Sequence, residues 1–180
     1  MNIVEPIRSK IDLERIETAL EKQNLRDLLF FVMGTNSGLR ISDILSLNVE
    51  DVRDKTHITI REKKTKKYKK FPINEKLKIL IKRHTENRKK SEPLFKTIYD
   101  NRLDRHQAYR IINSVCNELG INYKIGTHSL RKTFGYHHYM KFKDIAILQK
   151  ILNHSSTSIT LRYIGIEQDR IDESYMNFIL

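Results

Sequence analysis

The chain has 180 residues, a single cysteine, and 34 Lys+Arg against 22 Asp+Glu, for a formal net charge of +12. That length suits one ordinary domain burying its own core, and a lone thiol excludes an internal disulfide framework and fits a reducing cytosol. No apolar run reaches signal-peptide or membrane-spanning length, so the expectation is a soluble cytoplasmic protein whose basic excess attracts a polyanion rather than a membrane.

In chain order, Asp12 to Gln23 keeps helical spacing at Leu13, Ile16 and Leu20 behind an aspartate cap. Leu25 to Met33 is a strongly apolar helix, interrupted by Gly34 and Gly38 with a turn over Thr35 to Ser37; a third helix runs from about Ile41 to Leu47, with Ile44 and Leu47 inward. The period then changes. His57 to Ile60 alternates as a strand, and Lys70 to Ile73 is its partner, with Pro72 marking an edge or an end. Seven of the ten residues from Arg61 to Lys70 are basic, and Lys63 to Lys69 form the hairpin tip. Helical spacing returns over Glu75 to about Arg88 and over Leu103 to Leu119, where Cys116 joins the apolar stripe of Ala108, Ile111, Ile112 and Val115. A further helix starts near Thr127. Asp144 caps Ile145 to Leu152, Ser155 or Ser156 caps a short helix towards Tyr163, and Ile166 to Leu180 is an amphipathic tail. The fold class is α+β, mainly α, with a small antiparallel hairpin.

Four local patterns carry chemistry, each weak by itself. Thr35 to Arg40 puts an arginine after a glycine-permitted turn, and Asp43 stands one helical turn on, close enough to orient the guanidinium. His128 and Arg131 share a helix face and can hold one phosphate between them. His154 follows Leu152 and Asn153 at a helix junction, nine residues before Tyr163. The hairpin lysines bind phosphates, and one at a mobile tip can deliver a proton. No acidic cluster has metal-ligand spacing, and His137 and His138 are adjacent rather than facing.

In this order the patterns resemble the tyrosine recombinase (phage integrase) family over nearly the whole chain from about residue 10. Its first box looks like Gly38-Leu39-Arg40-Ile41-Ser42-Asp43; its hairpin lysine, eight residues before a proline, selects Lys64; its later boxes match His128 to Arg131, Leu152-Asn153-His154, and Tyr163. The resemblance implies an integrase-like catalytic domain with Arg40, Lys64, His128, Arg131, His154 and Tyr163 as catalytic residues. Asp43 supports them, and Lys63, Lys66, Lys67, Lys69 and Lys132 contact DNA. It implies no metal and no cofactor, double-stranded DNA as partner, a homo-tetramer on DNA with a monomer allowed in solution, and a place at the nucleoid. The chain reads as the catalytic domain over 1–180 without a separate N-terminal DNA-binding domain, and the tail 164–180 docks on a neighbouring protomer or on its own domain. Three departures stand out: Asn153 replaces a glycine, Asp43 a glutamate, and no glycine follows Lys64. The alternatives are a type IB topoisomerase-like enzyme and a truncated, non-catalytic relative that modulates DNA.

Overall fold

The computed structural model describes residues 4–62, 64, 66–122, 124–126 and 128–179. Helix α1 spans Lys10–Gln23, α2 Leu25–Ser37, and α3 Ile41–Ile44. A 3-10 turn at Val49–Asp51 leads to strands β1 (His57–Arg61) and β2 (Tyr68–Pro72). The rest is helical: α4 Glu75–Thr85, α5 Arg105–Glu118, α6 Ser129–Phe142, α7 Ile145–Leu152, α8 Thr157–Ile164 and α9 Ile166–Asn177.

The α2 helix is the centre of the molecule. Leu28 to Met33 are buried on every side, and the helix packs against α1, α4 and α6, which is what an all-round apolar helix requires. Contrary to expectation, α2 runs through Gly34 to Ser37 rather than breaking into a turn. The reason is packing: a Cβ at Gly34 would lie 2.5 Å from Leu130 Cδ1, so glycine here lets α6 approach, and the helix stops only at Gly38, with φ 61°. The first cap also shifts, because the Ser9 side chain, not Asp12, accepts from the Asp12 amide and starts α1 two residues earlier. The third helix is shorter than expected, ending at Ile44, yet Ile44 and Leu47 are buried as expected.

The two strands pair antiparallel, Ile58 opposite Phe71 and Ile60 opposite Lys69, and Ile58 enters the main core. Lys69 therefore belongs to a strand and not to the hairpin tip. Asp104 caps α5, Asp144 caps α7 and Ser156 caps α8 through side-chain oxygens. Thr127 lies outside the described residues. Cys116 is buried, and desolvation pushes its thiol up to about 11.

A second, smaller apolar cluster lies apart from the main core. It gathers Tyr139, Leu148, Leu152, Ile164 and Ile166, with Tyr163 packed against it. Residues 4–8 form a strap beneath α6: the Ile7 amide donates to Thr133 Oγ1 at 2.8 Å, and His137 Nε2 donates to the Ile7 carbonyl at 2.9 Å. Arg8 crosses to Asp169 of α9 at 2.9 Å. Among the described residues of the tail helix only Ile166 is buried, while Tyr175 and Met176 are each 80% exposed and Phe178 70%. No described helix is long and apolar enough to cross a membrane.

Candidate active site

Each box of the sequence reaches one region by its own local device. Gly38 reverses the chain in the left-handed conformation, and a Cβ there would meet Phe134 Cδ1 at 2.6 Å. The turn sets Arg40 in extended backbone at the N-terminus of α3. Arg40 Nη1 lies 2.9 Å from Glu62 Oε1, and Glu62 is 2% exposed at the end of β1. Asp43 is 1% exposed in the same cluster, and its charge acts on Arg131 and Lys69. The carboxylate that pairs with Arg40 here is Glu62, hidden in the sequence among lysines, rather than the Asp43 that spacing points to.

Arg131 projects inward from the first turn of α6 and is 3% exposed. Its Nη1 donates to the Gly38 carbonyl at 2.6 Å and its Nη2 to the Leu152 carbonyl at 2.5 Å. One guanidinium thus joins the turn before α3 to the end of α7. Burial lowers its pKa, as does Arg40 nearby; the carboxylates Glu62 and Asp43 act in the opposite direction.

Asn153 ends α7 with φ 51° and ψ 48°, so the asparagine adopts the left-handed conformation expected of it. Its Nδ2 donates to Glu62 Oε2 at 3.3 Å. The next residue, His154, has Nδ1 3.1 Å from Thr160 Oγ1, and its ring stands edge-on to Tyr163 with centroids 5.0 Å apart. Desolvation, with Arg131 and Arg40 close by, lowers the His154 pKa to about 4. The ring is therefore neutral at pH 7.

Tyr163 lies on α8, and its hydroxyl is buried without a well-formed hydrogen bond among the described residues. Burial raises its pKa, while Arg131 and Arg40 pull it back down. Lys132 Nζ lies 5.3 Å from the Tyr163 ring centroid and donates to the Val4 carbonyl at 2.8 Å. That lysine, expected on DNA, is tied to the N-terminal strap.

His128 is exposed at the N-terminus of α6. No hydrogen bond among the described residues joins it to Tyr163. Desolvation lowers its pKa, and so do Arg105, Arg131, Lys132 and Lys64, so the tip lysine is within electrostatic reach of the imidazole. Lys64, Lys66 and Lys67 are exposed at the tip; Lys63 lies outside the described residues. Lys69 behaves differently from the tip lysines. Half-buried on β2, its Nζ is 3.5 Å from the Ser37 carbonyl, and desolvation together with Arg131 lowers its pKa to about 8, against the pull of Glu62. The strand alternation that turns Lys69 inward is legible in principle, but a run of lysines conceals it.

The region therefore offers two arginines, a neutral imidazole and a half-buried lysine around a phenol. Such a set suits an anionic, tetrahedral group that gains charge as it reacts. Among the described residues no group of three His, Cys, Asp or Glu is placed to hold a metal.

Comparison with known proteins gives the family and the fold. The phage integrase family profile matches residues 9–170. A probable integrase/recombinase of Bacillus subtilis, YoeC, is 49% identical, over 99% of this chain and 98% of its own length. The tyrosine recombinase XerC of Thermodesulfovibrio yellowstonii is 29% identical over 94% of the chain, which spans 56% of that relative. Among solved structures, XerA recombinase superposes with a TM-score of 0.78 at 22% identity, covering 96% of this chain and 63% of that one. A lambda integrase dimer bound to a COC' core site gives 0.74 at 15% identity, covering 92% and 49%. The fold is shared with both, and the chain belongs to the phage integrase family, together with the tyrosine recombinases it resembles.

Proposed function

We propose that this protein breaks and rejoins DNA strands by transesterification through Tyr163. The observation that carries the reading is the pull of Arg40 and Arg131 on the buried Tyr163 hydroxyl, with the His154 ring edge-on to the Tyr163 ring. The phenol oxygen attacks phosphorus, the bond to the 5′ oxygen breaks, and a 3′-phosphotyrosine conserves the phosphodiester energy. A 5′ hydroxyl then reverses the step on the same or another strand, without ATP. The arginines neutralise the equatorial oxygens of the transition state, the work a metal does elsewhere.

Proton movement divides between two edges of the site. His128, whose pKa is lowered by desolvation and by the cations around it, accepts the phenol proton or bonds to it, and Lys64 protonates the departing 5′ oxygen. His154 donates to the phosphate once that anion raises its pKa. Lys66, Lys67 and Lys69 hold the DNA backbone, as does Lys63. The exposed apolar residues of α9 dock on a neighbouring protomer, in a homo-tetramer assembled on DNA at the nucleoid.

The test uses supercoiled plasmid in EDTA, quenched with SDS, with the wild type and Tyr163→Phe side by side. Protein-linked DNA from the wild type alone supports the reading; linkage by both overturns the nucleophile, and linkage by neither favours the DNA-binding relative. Strand-exchange substrates then separate recombinase from topoisomerase. Sedimentation with DNA, with and without the last 12 residues, checks the tail: it fails if truncation leaves the assembly unchanged.

A further inference from the structure

A buried carboxylate is out of place beside a phosphodiester. It repels the substrate and cancels part of an arginine's charge, and buried ion pairs seldom add stability. Glu62 nonetheless sits 2% exposed, with one oxygen 2.9 Å from Arg40 Nη1 and the other 3.3 Å from Asn153 Nδ2. Its backbone closes the hairpin tip: its amide donates to the Lys67 carbonyl and its carbonyl accepts from the Lys66 amide, both at 2.9 Å. Lys64 follows two residues later. One residue therefore touches the helix-start arginine, the residue before His154, and both sides of the tip.

We propose that Glu62 is a positioning residue that pins the root of the lysine tip to Arg40 and Asn153, and so sets where Lys64 reaches. This rests on Lys64 as proton donor to the leaving oxygen. The pairing explains why asparagine stands at 153: it supplies the left-handed turn that glycine would, and adds a donor for Glu62. Removing the carboxylate leaves the cations in place, so DNA binding should hold or tighten while proton delivery fails.

The experiment measures single-turnover covalent attachment and DNA affinity for wild type, Glu62→Gln, Asn153→Gly and Lys64→Ala. Each is run on ordinary DNA and on DNA with sulfur at the bridging 5′ position, a leaving group that needs no proton. Glu62→Gln should attach at least about tenfold more slowly to ordinary DNA, bind no more weakly, and recover most of the loss on the sulfur substrate. Equal losses on both substrates, or none, would overturn the proposal. Amide exchange at Glu62 and Lys66, the two amides bonded across the tip, reads the same device without activity. It should quicken in Glu62→Gln and in Asn153→Gly, with α2 unchanged; no change in either variant refutes the pin. Should Glu62→Gln fail to fold, Asn153→Gly alone decides by both readouts. A wild type that forms no adduct, or a Lys64→Ala that sulfur does not rescue, counts against the wider reading, and exchange then judges the pin alone.

Discussion

Arg131 holds the Leu152 carbonyl at 2.5 Å from one nitrogen and the Gly38 carbonyl at 2.6 Å from another. The residue that the family pattern marks for chemistry is thus also the tie between two chain segments. Lysine cannot span both carbonyls, since its ammonium is a point donor rather than a fork. Arg131→Lys should lower stability by about 2 kcal/mol through the orphaned carbonyl, and slow covalent attachment by about a hundredfold or more. Urea unfolding and adduct formation on the same preparation check both. Full stability would refute the tie.

Gly34 faces the side chain of Leu130, its missing Cβ 2.5 Å from Leu130 Cδ1. Gly34→Ala should cost about 1–3 kcal/mol by overpacking the α2–α6 contact. Leu130→Ala in the same chain should recover part of that loss, because neighbouring substitutions are not additive. Additive losses in the double-mutant cycle would argue against a contact limited by this side chain.

His154 gives stability a pH dependence of definite sign. Its folded pKa is about 4 against an ordinary 6.5, so between those values the unfolded chain binds more protons and stability rises with pH. Acidification from pH 7 should therefore destabilise the wild type more than His154→Gln, and the gap between them should change through that window and level off below it. Parallel curves from pH 7 to 4 would mean the ring is not held neutral.

Lys69 makes a matching forecast on the alkaline side. With a folded pKa of about 8 against 10.5, the unfolded chain holds more protons between those values. Wild-type stability should rise with pH across that interval relative to Lys69→Met, which has no such proton to lose. If Lys69 serves the reacting phosphate, the same variant should also attach to DNA more slowly. An unchanged rate would return Lys69 to ordinary backbone contact.

The helices were legible in the sequence because their apolar periods and caps are local. Asp144 and α7, for instance, needed no tertiary information. What was not legible depended on distant partners. Gly34 looked like a break because its reason to exist, Leu130, lies far along the chain. Ser9 and Asp12 both suit the cap of α1, and local sequence does not separate them; the fold uses Ser9. In the site, Arg40, Arg131 and His154 lie near Tyr163 while Lys64 and His128 stay exposed at its edge, and Glu62 and the inward turn of Lys69 appear only when β1 and β2 pair. A carboxylate inside a lysine run reads as surface charge until its strand is placed.

The small apolar cluster of Tyr139, Leu148, Leu152, Ile164 and Ile166 has a consequence for how the molecule opens. Arg40 stands on the large core and Tyr163 on the small one, with Arg131 as the hinge pin between them. Segments resting on a few buried side chains form cooperative units of their own, which open more often than the whole molecule unfolds. Tyr163 can then leave and return while the elements that hold Arg40 stay folded. In hydrogen-exchange terms, the amides of α8 should exchange by a low-energy opening that leaves α2 protected, an opening that would uncover the buried Tyr163 hydroxyl.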